Sequence, residues 1–314
     1  MAIYTIGTLT NEAKTFYDLK LLERALPELI HSQFGQNRNI PPNQGINIQF
    51  RKFASLPAAT TALTEGTPPS ASTLTISTVA ATVSQYGAVV DGSDIVQTQT
   101  IDNVLTEVAM LLGENMGNTL DIIDREILVA GTTVQYGSTA GSRAQVGSGM
   151  FMDAAEIREA VRTLKRANAK PHSAGRFVAI VHPDTVADMF GDGDILDAFQ
   201  FAGDRGGANP VFTGELGSYL GVKFVESTNA KIWASAGLSG ADVYATLFIG
   251  ANAYGITELD AQSAQTYFVP PGGNHTDPLA QSWRNGWKAA HVCVVLDQNN
   301  MVRLEHNTSQ SLSA

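Results

Sequence analysis

One long amphipathic pattern limits how this chain can fold more than any other feature. Between residues 104 and 127, apolar side chains recur at steps of three and four, which predicts a helix with one apolar face. They are Val104, Leu105, Val108, Leu112, Met116, Leu120, Ile123 and Ile127. Asp102 or Asn103 can cap the start of this helix and Gly131 its end. At about 1.5 Å per residue the helix is about 40 Å long, well above the average for globular proteins.

Two further features of this segment restrict its surroundings. Gly113 and Gly117 lie inside the predicted helix, and their spacing predicts a close-packed neighbour or a bend. Charged residues such as Glu107 and Glu114 share the segment, which excludes a membrane-spanning helix there. No other apolar run reaches the length of about 18 residues that a membrane span needs, and the N-terminus lacks the pattern of a signal peptide.

The stretch RKFASLPAATTALTEGTPPSAST, residues 51–73, separates two strand-like segments. Before it, Ile46, Ile48 and Phe50 alternate with polar residues as in a half-buried strand, and the segment after it is rich in Thr and Val. Hairpin loops usually have about two to five residues, so a connection of this length is functional or disordered. The pattern leaves open whether the stretch is free in solution or rests on something outside its own chain.

The segments after residue 130 alternate between helical and strand-like patterns, which is typical of an α/β arrangement. Residues 131–150 predict a loop, and Asp153 and Glu156 form a capping-box pattern before an apolar stripe of Ile157, Val161 and Leu164. RFVAIVHPDTVADMF predicts a strand, a turn and a short helix, and GVKFVES and VYATLFIGANAYGIT predict further strands. The tail WKAAHVCVVLDQNNMVRLEHN predicts a hairpin that turns at residues 297–300.

Composition narrows the possible functions. Charged residues make up 16% of the chain, against about 25% in a typical protein. Such a surface is typical of subunits covered by other subunits, although Thr, Ser, Asn and Gln can solvate a monomer equally well. The net charge of −10 excludes a nucleic-acid binder that works by neutralising phosphates. The single cysteine, Cys293, predicts a buried small side chain, excludes internal disulfides and fits an intracellular origin.

No pattern in the sequence predicts catalysis, a cofactor or a metal. Phosphate-binding, nucleophile-elbow and zinc-protease motifs are absent. Asp188, Asp192, Asp194 and Asp197 resemble a calcium loop only superficially, because the Gly and terminal Glu spacing of the EF-hand pattern is missing.

Three other candidate sites have structural interpretations. His182, before a proline, is interpreted as a turn or core histidine. The basic run over residues 158–170 can contact phosphate, but a solvated helix face explains it with fewer assumptions. Trp283 and Trp287 are interpreted as core anchors rather than as a ligand cage. We therefore predict that the protein is not an enzyme.

Five segments resemble, in order and spacing, the major capsid proteins of tailed bacteriophages. They are YDLKLLERALPELIHSQFGQNRNIPPNQGINIQFRKF, TTALTEGTPPSASTLTISTVAATVSQYGAVV, LGENMGNTLDIIDREILVAGT, GELGSYLGVKFVES and DPLAQSWRNGWKAA. The resemblance implies the α+β shell fold shared by tailed phages, herpesviruses and encapsulins. In that fold an N-terminal arm leads to an extended β-hairpin loop, a peripheral domain with a long spine helix and an antiparallel sheet, and an α/β axial domain.

The resemblance also implies a domain order. Residues 1–38 correspond to the N-terminal arm, 39–92 to the extended loop, 93–150 to the peripheral domain with the spine helix, 151–265 to the axial domain, and 266–314 to a return to the peripheral sheet. Within the arm, residues 17–33 carry a helical pattern that Pro27 interrupts. The glycine-rich residues 191–217 correspond to an axial loop near the capsomer centre.

The implied function is self-assembly, as hexamers and pentamers, into an icosahedral shell around packaged viral double-stranded DNA. The implied location is the virion capsid, assembled in the host cytoplasm. The implied partners are copies of the chain, a portal at one vertex, optionally a decoration protein, and DNA in non-specific contact, with no membrane. Because the loop begins near residue 40, no room is left for a fused scaffold, and a separate scaffolding protein, or none, is expected.

The extended loop is then expected to be held by the next subunit. The expected contact residues are Arg51, Lys52, Phe53, Leu56, Leu63 and Glu65. Some shells of this fold join subunits through an isopeptide bond from a loop lysine. No lysine occurs between residues 54 and 73, so we predict a shell without this cross-link.

Two alternatives belong to other classes of function. An encapsulin-like compartment has a similar fold, and a docking peptide on its cargo enzyme would distinguish it. A soluble α/β enzyme would remain a compact monomer in size-exclusion chromatography.

Overall fold

The computed structural model of the protein describes residues 29–41, 45–54, 56–63, 65–66, 70–95, 104–172, 175–195, 218–258, 265–271 and 279–310. These residues form the helices α1 (Val104–Val129), α2 (Ala154–Arg166) and α3 (Pro183–Gly191). They also form the strands β1 (Gln36–Asn37), β2 (Asn47–Phe53), β3 (Ile76–Thr82), β4 (Ser84–Ser93), β5 (Val134–Tyr136), β6 (Phe177–Val181), β7 (Ser218–Tyr219), β8 (Val222–Glu226), β9 (Ile232–Trp233), β10 (Val243–Ile249), β11 (Tyr254–Glu258), β12 (Gln265–Val269), β13 (Ser282–Val295) and β14 (Met301–His306).

The described strands form three sheets. In the five-stranded sheet β13 pairs antiparallel with β4, with β11 at its C-terminal part and with β12 at its N-terminal part, while β1 adds to β11 in parallel. The seven-stranded sheet has the order β5–β14–β10–β6–β8–β7, with β9 also paired to β10. Its β5/β14 and β6/β8 pairs are parallel and its other pairs are antiparallel. β2 and β3 form a separate antiparallel ribbon.

The predicted long helix is confirmed as α1, whose 26 residues give a rod of about 39 Å. Its apolar face packs on the five-stranded sheet, where Leu112 and Leu120 join Trp287 in one buried cluster. The predicted capping residues 102 and 103 lie outside the described residues. Gly131 follows the helix without a left-handed φ. A Cβ at Gly131 would lie 3.1 Å from the carbonyl oxygen of Leu128 and 2.5 Å from Met301 Cε, so its surroundings leave little room for a side chain.

The close-packed neighbour predicted for Gly113 and Gly117 is not supplied by the described part of the chain. A Cβ at Gly113 would meet no atom within 4 Å, and one at Gly117 would lie 3.9 Å from Leu29. The alternative, a bend at these glycines, stays a prediction, since α1 is continuous through both.

The predicted alternation of helices and strands in the middle of the chain is confirmed. The Asp153 carboxylate caps α2 by accepting from the backbone N–H groups of Ala155 and Glu156, at 2.8 and 3.1 Å. The apolar stripe of α2 is buried against the seven-stranded sheet. The segment VYATLFIGANAYGIT, however, forms two strands that belong to different sheets, β10 and β11.

The hairpin predicted for the tail is wrong. A turn is present at residues 297–300, but it leads from β13 in one sheet to β14 in the other. β14 carries buried charges, and the Glu305 carboxylate accepts from Nε of Arg143 and from Nε of Arg303, each at 2.8 Å. Buried charges need partners of opposite sign. Arg143 lies far from β14 in the sequence but provides one of the two positive partners of Glu305.

Residues 131–150, predicted as a loop, contain β5 and a short 3-10 helix at Arg143–Gln145. β5 and β14 fall in the predicted peripheral segments and β10 in the predicted axial segment, yet all three are neighbours in one sheet. The predicted boundaries at residues 150/151 and 265/266 therefore do not separate the two large sheets. The predicted helix over 17–33 lies mostly outside the described residues, as do residues 196–217 of the predicted axial loop.

Candidate assembly interface

The β2–β3 ribbon pairs with no other described strand and ends in a long exposed connection. Its register runs from Asn47 opposite Thr82 to Phe53 opposite Ile76, and the N–H of Ala54 donates to the carbonyl of residue 75 at 3.0 Å. Beyond that point every described residue of 56–74 is exposed. The described part of the chain therefore provides no cover for this connection, which we call the loop.

The base of the ribbon is fixed to the rest of the subunit. The Phe50 side chain is 6% exposed, and a Cβ at Gly255 would lie 2.7 Å from its ring. Only glycine leaves room for the ring at this point. Val83 and Ile48 join a small apolar cluster with Ala290 of β13. The ribbon is thus anchored at one end and uncovered at the other.

The structure brings the six predicted contact residues together on this ribbon and loop. Phe53, Leu56 and Leu63 are 59%, 59% and 76% exposed. Arg51, Lys52 and Glu65 are also exposed, and the Lys52 ammonium forms an ion pair with the Asp297 carboxylate. Sequence reasoning missed two exposed apolar side chains on the returning side, Leu74 and Ile76. The alternation of apolar and polar residues at the start of β3 could have identified both as side chains of one exposed face.

A second exposed apolar surface lies on the five-stranded sheet and was not predicted. A groove of about 440 Å³ runs between β4, β12 and β13 and is lined by Val89, Tyr267 and Val269. Val89 is 67% exposed and Tyr267 is 50% exposed. Large exposed apolar surfaces on a soluble protein mark contact sites for other molecules.

The two predicted core anchors lie in the interior, 1% and 3% exposed. Trp283 Nε1 donates to the carbonyl of Ser93 at 3.2 Å, and Trp287 Nε1 donates to Asn115 Oδ1 of α1 at 3.0 Å. Both indole N–H groups are therefore satisfied while the rings are buried. The burial of both rings fits core anchors.

Two buried carboxylates of α1 bind segments that are distant in the chain, and sequence reasoning missed both. Asp121 Oδ2 lies 2.9 Å from Nδ1 of His31, and Asp124 Oδ1 lies 2.6 Å from Nε2 of His291 in β13. Burial alone raises the pKa of Asp121, but the hydrogen bonds and charge of His31 outweigh it and hold the pKa below its ordinary value. The first pair holds the segment that precedes β1 against α1, and the second pair holds β13 against the same helix.

The groups considered for chemistry have structural roles where they are described. Asp192 Oδ2 accepts from the N–H of Ala154, and Asp188 accepts from Ser309. His182 Nδ1 accepts from the N–H of Asp184 and so caps α3. Burial raises the pKa of the Cys293 thiol well above its ordinary value, which suppresses its reactivity.

Within the described ranges, no group of three or more His, Cys, Asp or Glu side chains could hold a metal ion. Of the helices described, none has both the length and the apolar character needed to cross a membrane. Asp197 of the acidic cluster lies outside the described residues.

Three solved phage capsids have the same fold as this chain. The capsid asymmetric unit of cyanophage Pam1 is 16% identical with a TM-score of 0.75, covering 99% of this chain and 100% of that one. The capsid of Ralstonia phage GP4 is 13% identical with a TM-score of 0.72, covering 96% of each chain. The capsid of cyanophage P-SCSP1u is 14% identical with a TM-score of 0.69, covering 94% of this chain and 93% of that one. At such identities the likeness establishes the fold.

Family membership comes from the sequence itself. No curated protein sequence is significantly similar to this chain. The model of a family described as phage capsid protein, however, matches residues 75–304, which include α1 and most strands of both large sheets. The chain therefore belongs to the phage capsid protein family and is a structural shell protein.

Proposed function

We propose that this capsid protein assembles as hexamers and pentamers into an icosahedral shell around packaged double-stranded DNA, with the loop of each subunit resting on the next. The observation that carries the proposal is the exposure of Phe53, Leu56 and Leu63 on a ribbon that is anchored at its base. Burying these side chains on a neighbour contributes about 25 cal/mol per Å² of apolar area. Each contact can be weak, because a closed shell multiplies the contacts that every subunit makes.

Electron microscopy of the purified full chain, alone and with a co-expressed scaffolding protein, tests this proposal. Closed or tubular particles are the expected result. A chain that remains a compact monomer over a wide range of concentration, salt and scaffold would contradict it. Size-exclusion chromatography of the same samples gives an independent measure.

The finer assignments are proposals that rest on the resemblance and on family membership. They are a separate scaffolding protein, a portal at one vertex, a decoration protein on some shells, non-specific contact with DNA, and assembly in the host cytoplasm. We also propose that the chain is divided into an arm, an extended loop, a peripheral domain and an axial domain, and that it has no catalytic activity. Membership of a phage capsid family does not favour the compartment or the soluble enzyme.

A further inference from the structure

A cleft of about 620 Å³ lies between the base of the ribbon and the body of the subunit. Arg51 and Lys52 of β2 line one side, and Lys170, which follows α2, lines the other. Arg38 and the turn residue Asp297 complete its charged lining. The anchored base of the ribbon therefore forms one wall of a hollow in the subunit surface.

The charges of this cleft oppose the charge of the whole protein. Four cations line it against one carboxylate, a formal excess of three positive charges, whereas the chain carries a net charge of −10. The carboxylate of Asp297 is already paired with Lys52. Arg51 and Lys170 have no ion-pair partner among the residues that the structure describes. The cleft is thus suited to an anionic group that is not part of the described chain.

The remaining lining favours a protein surface over a nucleic acid. The amides of Asn168, Asn252, Asn299 and Asn300 line the cleft together with the apolar side chains of Phe53 and Val79. Amide, apolar and charged groups in one hollow match a folded protein surface that presents side chains. A duplex presents phosphates on a convex surface and offers no side chains to match the amide and apolar groups of the hollow.

We propose that this cleft receives acidic side chains of a second copy of the chain, so that subunits are joined by charge pairs at the ribbon base as well as by the apolar loop. This inference rests on the proposed function, because it requires that copies assemble. A copy is the matching partner, since its 30 Asp and Glu outnumber its 20 Lys and Arg. Complementary charge selects the partner and its orientation as well as adding to affinity.

The first test compares charge reversals in the full chain. Arg51→Glu with Lys170→Glu is matched by Lys165→Glu with Lys223→Glu, two exposed cations outside the cleft that give the same change in net charge. We expect the cleft variant to raise the protein concentration at which particles form by about threefold to tenfold at low salt. The control pair should leave that concentration within about twofold of wild type.

The second test identifies the partner atoms. Particles are assembled from equal amounts of ¹⁴N- and ¹⁵N-labelled chain and treated with a carbodiimide, which joins an amine to a carboxylate in direct contact. We expect Lys170 to be linked to an Asp or Glu of the other isotope label. The Lys52–Asp297 link within one copy serves as the internal reference, because the ion pair is present in the single subunit.

Three results would overturn the proposal. The cleft variant could assemble like the control with no link from Lys170 to another copy. The cleft variant could assemble normally but retain less DNA, which would show that the cleft binds the phosphates of DNA. A wild-type chain that forms no particles would overturn the proposed function and this inference together, whereas the first two results leave the proposed function intact.

Discussion

The α1–β13 core and the loop are both rich in apolar side chains, but only the core is covered by its own chain. Trp287 is 3% exposed beneath α1, while Leu63 is 76% exposed. The α1–β13 region depends on contacts already present in one subunit, whereas every described residue of the loop is exposed. An uncovered apolar segment beside a complete core marks a surface for another chain rather than a defect in folding.

The largest expected effect is in the core. Trp287→Ala removes a large buried ring and should lower the free energy of unfolding by about 3–5 kcal/mol. Leu63→Ala, the matched change in the loop, should alter it by less than about 0.5 kcal/mol. Chemical denaturation of the unassembled subunit measures both. Equal losses of unfolding free energy at the two positions would contradict the difference between the covered core and the uncovered loop.

The free energy of unfolding should also depend on pH through groups in the folded part of the subunit and not through the loop. Burial, with the neighbouring Asp153, raises the pKa of Glu156 from 4.5 to about 7. An acid whose pKa is raised by folding is stabilising when protonated, so the contribution of Glu156 to stability is fully present below pH 4.5 and is lost as the pH rises through 7. The loss amounts to about 3 kcal/mol at about 1.4 kcal/mol per pKa unit. Burial lowers the pKa of His306 to about 4, which gives a contribution of opposite sign over part of the same range.

Glu156→Gln should abolish the contribution of Glu156 to the pH dependence of stability. An amide can accept from the N–H of Ser138 as the carboxylate does and can donate to Asp153, so the variant should be more stable than wild type at pH 8 and similar at pH 4.5. Glu159→Gln is the control, because Glu159 lies on the same helix but is exposed. A wild-type slope in the Glu156→Gln variant would contradict the assignment.

Smaller effects are expected from the loop, and only on assembly. Leu56→Ser with Leu63→Ser should leave the unfolding of the subunit unchanged and raise the concentration needed for particle formation by about tenfold, since apolar burial drives the contact. Leu279→Ser, at a side chain 75% exposed outside the loop, is the control. Light scattering as a function of concentration gives the measurement, and a variant pair that assembles like wild type would count against the loop contact.

The last expectation is that no covalent link joins the subunits of mature particles, which denaturing electrophoresis can measure. The loop has no lysine between residues 54 and 73, and Lys52 at its base is paired with Asp297. We expect a single band near 33.3 kDa. A ladder of covalent multimers would show that subunits are joined by bonds as well as by burial.

Local patterns predicted the elements better than their partners. α1 and α2 followed from apolar periodicity and capping residues, because neighbours three and four apart in sequence share a helix face. The strands β13 and β14 were predicted, but their pairing was wrong. A period of two defines a strand without saying which sheet edge is free to receive it.

The candidate interface shows the same limit. The length and composition of the loop marked it as unusual, and the resemblance to capsid proteins implied that residues such as Leu56 and Leu63 contact another subunit. The pairs of Asp121 with His31 and of Asp124 with His291 were not predictable, since each joins residues at least 90 positions apart. The cationic cleft at Lys170 is a long-range feature of the same kind.

Amide hydrogen exchange of the loop, in the free subunit and in assembled particles, tests the central claim most directly. Peptides covering residues 56–66 should exchange rapidly in the free subunit, because the described loop residues have no strand partner. In particles the same peptides should be protected by about tenfold or more, because a neighbouring subunit covers them. Equal, rapid exchange of these peptides in intact particles would contradict the claim that the next subunit holds the loop.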